Sequence, residues 1–155
     1  MRRFRVSMWL SGQRRSIFRM RLETEFSMHF IQEQDVAGDR MEAPHARVVK
    51  HLVAPWNMGA SKIWLGISVI DPSSSSNPHA HEHQEEVFYC LSGNGLIRVE
   101  DKEAEISPGS CVFVPEGAVH QLVNTQPGEV LRVLSATAPP FSQDGWSTVH
   151  EPEVE

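Results

Sequence analysis

Cysteine is nearly absent from this chain: Cys90 and Cys111 are the only two among 155 residues. Two thiols cannot build the dense disulfide framework of a small secreted domain, so a reducing, cytoplasmic compartment is expected. Long apolar runs are missing too. No stretch approaches the roughly 20 residues a membrane-spanning helix needs, so no membrane partner is expected. Met8-Trp9-Leu10 is too short an apolar core for a secretory signal. Acids are lacking at the start, where none precedes Glu23, and seven arginines fall there: Arg2, Arg3, Arg5, Arg14, Arg15, Arg19 and Arg21. Bases are scarce in the remainder. From Met28 onward eighteen acids face seven bases, a net charge of −11. So acidic a body lacks the clustered basic surface that phosphate binding requires, and nucleic acid is excluded as an expected partner.

The arginine-rich start reads as a disordered or irregular extension over residues 1–27, or as sequence upstream of a start at Met8, Met20 or Met28. A transit-like segment fits its arginines but not its few serines, and a membrane- or nucleic-acid-binding arm is a third reading. A mass of 17.5 kDa allows one domain with one core, taken here as residues 28–155 with its centre at about 47–138.

Within that domain the pattern is strand, turn, strand. Ile63–Ile70 (IWLGISVI) has the β-branched, apolar composition of a strand buried on both faces. Asp71-Pro72, four serines, Asn77 and Pro78 form a loop. Glu86–Leu91, Leu96–Glu100, Ala104–Ser107, Cys111–Val114, Val119–Val123 and Val130–Ala136 follow as short strands, separated by turns such as Ser92–Gly95 and Pro108-Gly109. Arg47–Ala54 precedes them as a loosely alternating strand. Residues from Pro140 onward read as a loosely held tail. Many short strands with Gly/Pro punctuation and almost no helix signal predict an all-β sandwich or barrel. Trp64, Phe88 and Phe113 are expected in the core or a pocket wall, and Cys90 and Cys111 as buried, inert thiols.

Chemistry concentrates in the histidines. His79, His81 and His83 alternate within PHAHEHQEE, and His120 opens a later strand. Side chains two apart on an extended backbone share a face, so a His-x-His pair directs two imidazoles at one point, as a Zn, Fe, Ni or Cu ion needs. Glu82, Glu85 and Glu86 are the local carboxylates. Strict alternation would select Glu85; Glu86 requires a loop or bulge between the histidines and the strand EVFYCL. His29, His45, His51 and His150 read as ordinary core or surface residues.

The spacing resembles the two motifs of the cupin superfamily. His79 and His81 are followed by four residues, Glu86, six residues and Gly93; then Gly109, Pro115, Gly117, His120 and Asn124 match the second motif. One departure is Ser73, where the family pattern has glycine. The resemblance implies a single cupin β-barrel, a double-stranded β-helix or jelly roll, with one divalent metal (Fe, Zn, Mn or Ni) on His79, His81, Glu86 and His120. It also implies a homodimer and a small-molecule substrate or ligand. Two functions are carried forward. One is a metal-dependent enzyme on a small oxygenated metabolite, a dioxygenase ahead of an isomerase, epimerase or lyase. The other is a non-catalytic ligand-binding or sensing module. For general acid–base work the candidates are His83, Glu85, Tyr89 and His51.

Overall fold

Side-chain alternation at period two decides what meets in the interior of a sheet protein. The computed structural model describes residues 28–143; the arginine-rich extension and residues 144–155 lie outside the described residues. A 3-10 turn (Glu33–Asp35) and β1 (Asp39–Met41) lead into β2 (Arg47–Val53), the one-turn helix α1 (Pro55–Met58) and β3 (Trp64–Ile70). After the serine-rich loop come β4 (Glu85–Ser92), β5 (Gly95–Val99), β6 (Lys102–Ile106), β7 (Cys111–Val114), β8 (His120–Val123) and β9 (Leu131–Ala138). They form two antiparallel sheets, ordered β1-β2-β3-β9-β4-β7 and β6-β5-β8. This is the expected all-β barrel. Among the described residues no helix is long and apolar enough to cross a membrane.

Each long strand buries alternate residues. On β4, Glu86, Phe88 and Cys90 are buried while Glu85, Val87 and Tyr89 face outward. On β9, Leu131, Val133, Ser135 and Thr137 point inward. The main core gathers Ile70, Phe88, Cys90, Ile97, Leu122, Leu131 and Val133 at one end of the barrel. A second cluster of Val49, Ala54, Trp64 and Phe141 closes the other end.

Several expectations need correction. Cys111 and Phe113 lie on the exposed face of β7, with Phe113 56% exposed. CVFV is apolar at every position, so composition could not show which face packs. Phe141, in the expected tail, is buried against Trp64. The strand IWLGISVI is not buried on both faces throughout: Leu65, Ser68 and Val69 are half-buried. Asp39-Arg40-Met41, two charged residues and a methionine, forms the edge strand β1 that composition did not indicate.

The serine-rich loop is held against β8. Ser75 lies opposite Val123 and His79 opposite His120 as isolated bridges. Ser76 N–H donates to the Leu122 carbonyl (2.8 Å), and the Ser76 hydroxyl accepts from Leu122 N–H (3.0 Å). Ser73, the departure from the family pattern, has φ +54. It adopts the left-handed backbone that glycine accommodates at least cost. Asn124 ties this loop to its neighbours: its buried amide donates to the carbonyls of Ile70, Asp71 and Glu129 at 3.1, 2.9 and 2.8 Å.

Candidate metal centre

Pairing geometry brings the first two imidazoles together. His79 and His120 exchange both backbone hydrogen bonds, at 3.1 and 2.8 Å. Directly opposed residues of an antiparallel pair point to one face, and these two rings lie with centroids 4.4 Å apart. His81 follows two residues on, and its carbonyl accepts from Gly117 N–H at 2.9 Å. Gly117, at φ +77, lets the turn before β8 take that position. Between His81 and Glu85 the chain bends and then begins β4. That break is what Glu86 requires to join the histidines, and Glu85 falls on the outer face.

One ligand atom from each of His79, His81, Glu86 and His120 lies within 4.8 Å of all the others. His81, Glu86 and His120 are buried, and His79 is half-buried. Two tautomers are set by the backbone. The Nδ1 of His79 donates to the Asn77 carbonyl at 2.8 Å, and that of His120 to the Ala118 carbonyl at 2.9 Å. Such carbonyl contacts leave Nε2 as the lone-pair donor, the usual outer support of a metal-binding imidazole.

Glu86 Oε2 stands 3.1 Å from Nε2 of both His81 and His120. Burial would raise the Glu86 carboxyl, but its close contacts with His120 and His81 outweigh it and hold the group at about 2. Burial would lower His120, yet its contact with Glu86 and the Ala118 carbonyl raise it above the ordinary value. Two buried ring nitrogens still lack a hydrogen-bond partner, His81 Nδ1 and His120 Nε2. Buried polar atoms are seldom left so. Three imidazoles, one carboxylate and orphaned nitrogen lone pairs suit a divalent ion, and this group could hold one.

A small cavity adjoins the cluster, lined by His79, Glu86, Arg47, Trp64, Phe88 and Ser135 among others. Its volume is about 30 Å³, room for roughly two waters. The acid–base candidates stand away from it. His83 is exposed, 3.6 Å from Glu116, and Glu85 and Tyr89 face outward on β4. His51 is buried, but its Nε2 contacts Asp39 at 2.9 Å and its Nδ1 accepts from the Trp64 indole at 3.0 Å. It fixes the Trp64 wall. Arg47, Ser135, Thr137 and Phe141 were missed by sequence reasoning. An inward polar residue on a strand is indistinguishable in sequence from an outward one.

Comparison with known proteins defines the class. The Cupin domain family model matches residues 66–137. An uncharacterized protein of Streptomyces coelicolor is 35% identical over 80 residues, covering 50% of this chain and 71% of its relative. The chain belongs to the cupin family. Among solved structures, the polyketide cyclase RemF of Streptomyces resistomycificus superposes with TM-score 0.63 at 28% identity, covering 82% of this chain and 96% of that one. A predicted oxalate decarboxylase of Thermotoga maritima gives TM-score 0.65 at 22% identity, with 71% and 98% coverage. The chain spans 77% of one curated relative and only 20% of another.

Proposed function

We propose that His79, His81, Glu86 and His120 bind one divalent metal ion, and that the protein uses it as an enzyme on a small oxygenated metabolite. The convergence of four ligand atoms within 4.8 Å carries this reading. When bound, such an ion supplies Lewis acidity, or redox chemistry if it is iron. The chain's own part is to hold the ligand set. The Asn77 and Ala118 carbonyls fix two tautomers, and Trp64, Phe88 and Leu122 limit water around the cluster.

The cavity wall favours one branch of that chemistry. Beyond His79 and Glu86 its polar lining is Arg47, Ser68, Ser76 and Ser135. Among the described residues lining this cavity, none outside the ligand set is a general base at neutral pH, and isomerisation or elimination needs a positioned one. That supports an oxygenase over an isomerase, epimerase or lyase. It equally favours the second reading, a non-catalytic module that holds a small ligand. RemF, a polyketide cyclase, and the predicted oxalate decarboxylase show that the same barrel carries different assignments, and fold alone does not choose among them. Homodimer formation belongs to the same proposal; light scattering should return twice the 17.5 kDa chain mass.

Elemental analysis of untagged, anaerobically purified protein tests the metal reading. Near-stoichiometric metal is expected, and loss of it in both His81→Ala and Glu86→Ala. Iron together with oxygen uptake on small carboxylates would support the oxygenase. Metal that persists in both variants would refute the assignment.

A further inference from the structure

Among the described residues that line the cavity, Arg47 carries the one charge that metal binding does not use. It opens β2, is only 2% exposed, and lines the same cavity as His79 and Glu86. Two neutral oxygens hold it: the His45 carbonyl at 3.0 Å and Asn77 Oδ1 at 2.7 Å. None of the ion pairs between arginine or lysine and a carboxylate among the described residues includes it. Burial pushes the guanidinium down to about 10, so it stays protonated at neutral pH. A buried cation without a counter-charge is costly. Its two bonds also leave most of the five N–H donors of the fork for other partners.

The surroundings suit an anion. A divalent ion, one ionised carboxylate and one guanidinium leave roughly two positive charges around a single cavity. The hydroxyl-bearing Ser68, Ser76 and Ser135 line the same space. The cavity's size limits the buried part of a ligand to something near a carboxylate group.

We propose that Arg47 is an anion subsite, which takes the carboxylate of a small ligand whose other oxygens reach the His/Glu cluster. The planar fork of arginine matches two carboxylate oxygens at once. The net positive charge of the cavity and what the other oxygens meet both rest on the metal reading; the buried guanidinium without a carboxylate partner does not.

The test is calorimetric titration of the protein as isolated with oxalate, the smallest dicarboxylate, and with its neutral analogue oxamide. Metal content is measured on the same samples after titration. Oxalate is expected to bind at least tenfold tighter than oxamide. Arg47→Gln should weaken oxalate at least tenfold with metal content unchanged. Arg47→Lys keeps the charge without the fork and covers the case where the glutamine variant fails to fold; a threefold or greater weakening is expected. Oxalate binding within twofold of the unaltered protein in a folded Arg47 variant would overturn the proposal, as would no oxalate binding at all. Metal-free protein would sink the metal reading, yet the difference between unaltered and Arg47 proteins would still decide the role of Arg47.

Discussion

Along β9 the inward side chains change character within a few residues. Leu131 and Val133 sit in the apolar core, whereas Ser135 and Thr137 face the other end of the barrel. The same change recurs on β4 from Cys90 and Phe88 to Glu86, and on β8 from Leu122 to His120. Register aligns these gradients: Cys90 pairs with Val133, and Glu86 with Thr137. One end therefore buries carbon against carbon and stabilises the fold through the hydrophobic effect. The other sets a smaller apolar cluster beside buried nitrogen and oxygen, at a cost, and among the described residues three of those atoms have no hydrogen-bond partner. The same strands serve both ends, and Phe88 joins them, packing in the apolar core and against His120.

Single substitutions can break this contrast. Leu131 is fully buried, and Leu131→Ala should lose about 2–5 kcal/mol of stability in urea unfolding. Metal content of the protein that remains folded should not change. An equally large loss of metal would show that the two ends are not separable.

A reciprocal swap on β9 sharpens the comparison. Val133→Thr puts a hydroxyl into the apolar end and should destabilise by about 1–3 kcal/mol. Thr137→Val removes a buried hydroxyl that has no partner and should stabilise by about 1 kcal/mol. Thermal melts of the two variants should move in opposite directions; shifts of the same sign would refute the contrast.

The pH dependence should come from the polar end. Glu86 is held below its unfolded value, so its contribution is present above about 4.5 and is lost as pH falls towards about 2. His120 is raised, so its contribution is complete below 6.5 and is lost as pH rises through its folded value. Protons also compete with a metal for His120, so metal affinity should fall with falling pH. Glu86→Gln should flatten the acid limb of metal-free stability between pH 5 and 2. An unchanged acid limb would mean that other carboxylates set it.

The smallest effect is expected at Ser73. With φ +54 it sits where glycine costs less, and Ser73→Gly should stabilise by up to ~1 kcal/mol in denaturant titration. A destabilised variant would show that the loop depends on the serine itself.

What could be read beforehand follows from where information sits in a sequence. The quartet was legible because a loop, a turn and two strands impose fixed spacings between His79, Glu86, Gly117 and His120. Most strands announced themselves by apolar, β-branched composition between Gly/Pro turns. Facing did not. Arg47 and Thr137 drew no reading, because a polar side chain on a strand gives no sign of pointing inward, and Phe113 was expected in the core or a pocket wall for the converse reason. Phe141 follows two prolines that look like an ending, and only the packed structure shows it meeting His81 and Trp64 at centroid distances of 4.9 and 5.5 Å. Ser73 departs from the motif in residue type, and its φ of +54 is a backbone conformation that glycine adopts at least cost.

The central claim is that the polar end of the barrel is a metal centre built from four named side chains. Anomalous X-ray diffraction from crystals of the protein, grown with the metal it carries on purification, locates that ion directly. The account predicts one anomalous peak within about 2.0–2.2 Å of His79, His81, Glu86 and His120. A peak held elsewhere, on His83 and Glu116 for example, or no peak after metal addition, would contradict it.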